Sequence, residues 1–431
     1  MATDTLAPEN TEERVVYVAI TWTWVWYVTG ALYIVAPAVE VTLLWLYFWR
    51  LYAVWRPAHW RPKPVPMGVW MWIGGMCSML MALFIAHINW DLGAAATLKS
   101  TIGWLKGWAM LAIFPLAGAC LNIRPRLVIR GVMWMAVQTL CISPVLIAAA
   151  LVHLPSKLFV SPLQVIGGPG PEFFTVFLYI IDPENGAARW QFMAPWAPGA
   201  GFVANMIFYL AAGERRKGLR WAGVFTAIMM SLMTASRMAI LFLLFYPPLM
   251  FIFSRLSKPA ILGFFAAVSV ITGMVADTVN QFIQNSVSAF KGARANSTRV
   301  REALGKLAVQ RWKEEAPLFG HGEVQRGTHY VEFMPIGSHH TWYGLLYVKG
   351  LTGVISLIIP ALWCFFEMLT LAQVSQLGRL GLGSIFIMLY YSNGENLEIL
   401  AYLFWPALLI LGAAHQEAAA RPLAEALAVP A

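Results

Sequence analysis

Charge is what this chain has least of. Only 12% of its 431 residues are charged, about half the share of a soluble domain, and that excludes an ordinary water-soluble fold. Aspartate is scarcer still: Asp4, Asp91, Asp182 and Asp277 are the full set. There is no DxD pair and no HExxH segment. The clustered carboxylates that a hard divalent cation requires are missing, so no metal site is expected. No GxxxxGK[ST] or GxGxxG loop occurs either, and charge on a bound phosphate must fall to arginine. No cofactor is expected. The four cysteines (Cys77, Cys120, Cys141, Cys364) sit inside apolar stretches without CxxC spacing. That excludes a zinc site or a disulfide framework and leaves them as small packing residues. The first residues, MATDTLAPENTEER, lack the basic start and small-residue cleavage site of a signal peptide.

What the chain has is apolar length. It is 59% hydrophobic, with 20 tryptophans, and apolar runs of about 18 residues or more recur throughout. The expectation is an all-α polytopic membrane protein, a single integral membrane domain over residues 1–431. Run length places roughly twelve spans. They lie near 16–32, 34–50, 67–88, 101–121, 129–152, 197–213, 218–236, 238–254, 259–276, 341–364, 380–393 and 397–414.

The net charge of +9 points to membrane topology rather than nucleic acid, because the basic residues gather in short loops. RLYAVWRPAHWRPK (50–63), RPRLVIR (124–130), ERRKGLR (214–220) and SRLSK (254–258) fall at every second connection. Cytoplasmic loops carry such an excess. Both termini are then expected in the cytoplasm and the alternate connections outside. Two of those outward connections are long, residues 153–196 and residues 277–340. Long ordered loops in compact proteins tend to be functional.

Inside the second loop, NSTRVREALGKLAVQRWKEEAP reads as an amphipathic helix. Val300, Leu304, Leu307, Ala308 and Trp312 recur at helical spacing, Ser297 or Thr298 is the expected cap, and Pro317 the stop. Arg299 and Arg301 fall in its first turn, where guanidinium and backbone N–H groups favour an anion. The same loop ends in two adjacent histidines, His339 and His340, at the mouth of an apolar span. Imidazole is the usual general base near neutral pH. Arg189 lies in the first long loop, and Arg237 at a tight outward turn between two spans. His321 and His329 are further candidates in the second loop, and Glu395 and Glu398 flank the last outward turn.

In this order, SR at 236–237, STRVRE at 297–302, PLFGHG at 317–322 and HHTWYGLLYVKGLTG at 339–353 resemble the O-antigen ligase family. That family shares its fold and motifs with O-antigen polymerases and some protein O-oligosaccharyltransferases. Its pattern ends a loop in a Pro-Leu-hydrophobic-Gly-x-Gly turn, followed by a histidine and a Gly-x-x-Gly. In that register His339 takes the place of the family histidine, and Gly350 and Gly353 those of its glycines. The resemblance covers roughly residues 185–355.

The resemblance implies a GT-C-like glycosyltransferase of the bacterial inner membrane with its active site facing the periplasm. The donor would be O-antigen on undecaprenyl pyrophosphate and the acceptor lipid A–core, among membrane lipids and without nucleic acid. His339 would act as base, with His340 as neighbour or alternative. Arg189, Arg237 and Arg299 or Arg301 would clamp the pyrophosphate. The alternatives are an O-antigen polymerase, a protein O-oligosaccharyltransferase or, in a different class, a lipid-linked sugar transporter. A transporter calls for ionisable residues deep within spans, and the sequence offers few beyond Glu40 and Glu367.

Overall fold

The computed structural model describes residues 6–427 apart from 54–56, 58–60, 183–185, 275–276, 278–279, 282–283, 286–294, 326–334 and 338–339. Before the first long loop run α1 (Thr11–Thr21), α2 (Thr23–Val28), α3 (Leu32–Tyr52), α4 (Met67–Asn89), α5 (Gly93–Leu105), α6 (Met110–Cys120) and α7 (Pro125–Leu151). Between the loops lie α8 (Ala197–Ala211), α9 (Lys217–Met233), α10 (Arg237–Phe253) and α11 (Pro259–Met274). The second loop contains α12 (Ala295–Glu315), and α13 (Thr341–Ala372), α14 (Gln376–Tyr391) and α15 (Leu397–Leu427) follow.

Every apolar segment picked from the sequence falls on a helix, but the twelve expected spans are not twelve helices of spanning length. Among the described residues α3, α4, α7, α13 and Leu397–Arg421 of α15 are long and apolar enough to cross a membrane. The bent pair α5 and α6 makes a sixth if taken as one span. This is the make-up of an all-helical membrane protein. The segment expected at 16–32 is divided between α1 and α2 and ends at Gly30. That residue turns the chain with φ 70°, and Ser161 of the first long loop occupies the space a side chain would need. The segment at 101–121 bends by 40° across residues 106–109, where Gly107 seats against Glu398 with no room for a Cβ. Helices α8, α10 and α11 have only 15, 17 and 16 residues.

Helix α15 is the centre. Of its apolar stretch 83% is buried, against 33–44% for the other four long helices. It packs most closely on α6: Gly118 lies on the Leu409 carbonyl and Gly412 on the Pro115 carbonyl, each too close for a side chain. Small residues let membrane helices approach in this way. A polar chain also ties α4, α13 and α15. Trp72 Nε1 donates to Cys364 Sγ (2.8 Å), Sγ meets His415 Nε2 (3.1 Å), and His415 Nδ1 meets Glu367 (2.8 Å).

The two ends of the bundle differ. At one end, arginines from the short basic connections are held by glutamates: Arg50 by Glu12 (2.5 Å), Arg124 by Glu13 (2.6 Å) and Arg130 by Glu214 (2.7 Å). At the other end sit the two long loops. The first is folded, not open coil. It forms two antiparallel ladders, β1 (Lys157–Val160) with β2 (Thr175–Phe177) and β3 (Ile180–Ile181) with β4 (Ala188–Arg189). Its Phe173 and Phe174 pack edge-on against Tyr33, and the Tyr27 hydroxyl both accepts from Phe177 N (2.9 Å) and donates to Phe177 O (3.0 Å).

In the second loop α12 matches the expected amphipathic helix, with Val300, Leu304 and Ala308 buried against Tyr347 of α13. It begins at Ala295, two or three residues ahead of the expected cap at Ser297 or Thr298, and ends at Glu315.

Candidate functional site

The loop end is organised by a break in α13. Gly350 has φ 63° and ψ −160°, which interrupts the helical hydrogen bonds. The turn Pro317–Gly322 fills the gap. His321 N donates to Tyr347 O (2.8 Å) and Gly322 N to Val348 O (2.9 Å), while Leu351 N donates to Pro317 O (2.9 Å) and Thr352 N to Leu318 O (3.1 Å). Backbone groups freed by the break are therefore satisfied by the turn, as an apolar setting demands. Gly320 and Gly350 face each other so closely that a Cβ on either would overlap the opposing backbone. The glycines of the turn and of the helix are thus one feature, though 30 residues apart.

His321 belongs to this scaffold. Its ring stacks on Tyr347 (4.2 Å) and Trp90 (4.9 Å), Nδ1 meets the Tyr347 carbonyl (3.0 Å) and Nε2 meets Glu315 (2.7 Å). The hydrogen bond from Arg311 holds the Glu315 carboxyl below its usual range, and His321 adds to the effect.

Beside the turn, α12 and the start of α13 line a shallow, partly open recess. Arg301, Gly305, Pro335, Gly337, His340 and Tyr343 are among its walls. Gly305 is required because the Tyr343 ring lies where its side chain would go. His340 caps α13: Nδ1 accepts from Trp342 N (3.2 Å), the ring lies 4.5 Å from Tyr343, and a second hydrogen bond runs to the Asn393 backbone. Burial holds its imidazole below the ordinary histidine value. The Asn393 bond opposes this and the Arg301 charge adds to it.

Arg301 reaches from α12 to the turn between α14 and α15. It donates from Nη1 to the Gly394 carbonyl (2.6 Å) and from Nη2 to Glu395 Oε1 (3.3 Å). The other oxygen of Glu395 accepts from Trp196 Nε1 (2.9 Å), and its carbonyl accepts from Thr341 N (3.1 Å) and Oγ1 (2.6 Å). Burial lifts the Glu395 carboxyl above the usual range, and Arg301 and Trp196 pull it back.

Protein-family models and curated proteins give no match to this sequence.

The remaining arginines take separate places. Arg189 is 8% exposed. Its guanidinium pairs with Asp182 (3.2 Å) and donates from Nε and Nη2 to the Thr234 carbonyl (3.0 and 2.9 Å). It anchors the turn in which Ala235 adopts φ 47° and Ser236 caps α10. Arg237 opens α10 and is half buried. The next residue, Met238, packs against Gly394, whose carbonyl receives Arg301. One run of contacts therefore leads from Arg189 through the 234–238 turn to Arg301. Arg299 is exposed and two residues from Arg301, so it points to a different side of α12. His339 and His329 lie outside the described residues. The residue whose role the sequence hid is Glu395. It reads locally as part of an exposed turn, whereas it is 4% exposed and joins α8, α12 and α13.

Proposed function

We propose that this chain is a twelve-span, GT-C-like glycosyltransferase that moves O-antigen glycan from undecaprenyl pyrophosphate to lipid A–core at the periplasmic face of the bacterial inner membrane. The observation that carries the reading is the recess in which Arg301 stands with the histidine turn. It brings together two separate stretches of the sequence, 301–308 and 335–344, with the 394–395 turn bonded behind Arg301. The end with the two long loops is then the periplasmic end, and the end with the paired arginines is cytoplasmic, in keeping with the basic short connections.

The chemistry suits these groups. A sugar hydroxyl is a poor nucleophile near neutral pH. A base takes its proton as the oxygen attacks the anomeric carbon, and the bond to the lipid pyrophosphate breaks on the opposite face, inverting the centre. Negative charge grows on the leaving pyrophosphate. Two of the five N–H donors of Arg301 are spent on the turn, and the outward edge of its guanidinium keeps a forked donor pair for phosphate oxygens. Arg237 acts beside it. Arg189 acts indirectly, by holding the turn that presents Arg237. His340 is tied to the backbone at Trp342 and Asn393, so it orients the mouth of α13, and His339 takes the role of base that the family resemblance gives it.

Reconstitution tests this. Purified chain in proteoliposomes receives lipid-linked O-antigen, with or without rough lipopolysaccharide. Capped lipopolysaccharide is the expected product. A lengthened lipid-linked glycan with no lipopolysaccharide product would make the chain a polymerase, and movement of the donor across the bilayer without transfer would make it a transporter.

A further inference from the structure

We infer that Glu395 is a positioning residue for Arg301, one that fixes the guanidinium for the departing pyrophosphate and restrains its grip on the donor before the bond breaks. This rests on the ligase reading for its substrate, and on geometry alone for the pairing.

Three observations carry it. First, Glu395 is 4% exposed, while the Arg301 side chain is 43% exposed and lines the recess. The pair has a buried anchor and an accessible working end. Second, the anchor is itself held. Trp196 Nε1 fixes one carboxylate oxygen, and Thr341 fixes the carbonyl of the same residue through N and Oγ1. Thr341 Oγ1 in turn accepts from Leu397 N (3.0 Å), which ties the arrangement to the first residue of α15. A carboxylate gripped this way does not follow the ligand, so the guanidinium bound to it is set in direction before any donor arrives. Third, the adjacent Gly394 carbonyl takes the Nη1 donor of the same guanidinium. The inner edge of Arg301 is thereby used by two consecutive residues of one turn, and its outer edge is left toward the recess.

The carboxylate has a second effect. It offsets part of the Arg301 charge that a ground-state pyrophosphate would feel. Interactions that strengthen only as charge develops accelerate the reaction, whereas uniform binding does not. A direct consequence separates this role from a merely structural one. Removing the Glu395 charge leaves Arg301 more attractive to an anion but less well aimed.

The test uses the full chain in nanodiscs with Glu395→Gln, Arg301→Ala and the double variant. For Glu395→Gln the expected result is a split. KM for the lipid-linked donor falls about threefold, the size a half-exposed ion pair is worth, while kcat falls about 10- to 100-fold through lost alignment. In the Arg301→Ala background the same change has no further effect on kcat. Inorganic pyrophosphate serves as a probe that needs no turnover. It shields Arg301 from phenylglyoxal, read by peptide mass spectrometry, and Glu395→Gln lowers the pyrophosphate concentration required. A KM that holds or rises in Glu395→Gln, an unchanged kcat, or equal losses with and without Arg301 would each overturn the inference. If wild type transfers no glycan yet pyrophosphate shields Arg301 more readily in Glu395→Gln, the ligase reading falls and the pairing stands. If wild type transfers glycan and the variant matches it, the reverse holds.

Discussion

Replacing Gly350 with alanine tests the architecture at its narrowest point. The residue sits at φ 63° and ψ −160°, a region essentially reserved for glycine. Alanine there costs about 1–3 kcal/mol in backbone strain alone. The added Cβ would also overlap Leu318 and Phe319 of the docked turn. The turn must then move away, and the bonds closest to the overlap, Leu351 N to Pro317 O and Thr352 N to Leu318 O, are the first lost. Each is worth about 0.5–1.5 kcal/mol net. The expected destabilisation is about 2–6 kcal/mol from these two sources. The assay is thermal unfolding of purified protein in detergent, paired with glycan transfer in proteoliposomes. Gly103→Ala is the control, because open space surrounds that position. Gly350→Ala unfolding with the wild type, at equal turnover, would refute the claim that the turn and the broken helix support each other.

His340→Asn keeps a good helix cap but removes a titrating group. Burial favours the neutral ring in the folded state, so the unfolded chain binds the extra proton. Stability is present above the unfolded value of about 6.5 and is lost as pH falls below it. The variant should therefore lose less stability than wild type between pH 7.5 and 5, and equal losses in a melting series would contradict this. Arg301→Ala should cut turnover by about 10²–10³-fold, and Arg301→Lys should not restore it. Arg189→Ala should act on stability instead, by about 3–5 kcal/mol, because it breaks the buried ion pair with Asp182 and removes two hydrogen bonds to the Thr234 carbonyl; a normal melting curve would refute that. In a cysteine-free background, a cysteine at 165, 89% exposed in the first long loop, should react with an impermeant thiol reagent applied from the periplasm and one at 217 should not. Transfer should persist in excess EDTA, and activity lost to EDTA but restored by Mg²⁺ would reveal a metal site that the carboxylate pattern does not suggest.

Apolar run length located the helices because a buried or lipid-facing helix needs little beyond its own sequence. Segments 67–88 and 129–152 coincide closely with α4 and α7. The periodic spacing of Val300, Leu304 and Ala308 likewise marked the face that α12 buries. Sequence length failed where partners distant in the chain decide the outcome. Residues 341–364 read as one uninterrupted span, but the turn at 317–322 supplies the bonds that let α13 break at Gly350. The strands of the first loop have only two to four residues each and depend on aromatic packing against Tyr33. Arg189 read as one clamp among several, since Asp182 and Thr234 become its partners only when β4 and the end of α9 meet. Glu395 gave no local sign of burial, because Trp196 and Arg301 lie 199 and 94 residues away.

Helix α15 follows all the other described helices in the chain, yet it is the one they surround. Until it arrives, the glycine notch of α6 at Gly118 has nothing but lipid to meet, and the mouth of α13 lacks the Leu397 and Glu395 contacts that hold Thr341. Membrane helices insert individually and associate afterwards. The preceding helices must therefore wait in the bilayer as a loose, open group until α15 is inserted and closes them. The catalytic mouth proposed above is complete only once α15 is in place, so a chain cut short before it would leave a membrane-bound product with its motifs intact and no working site.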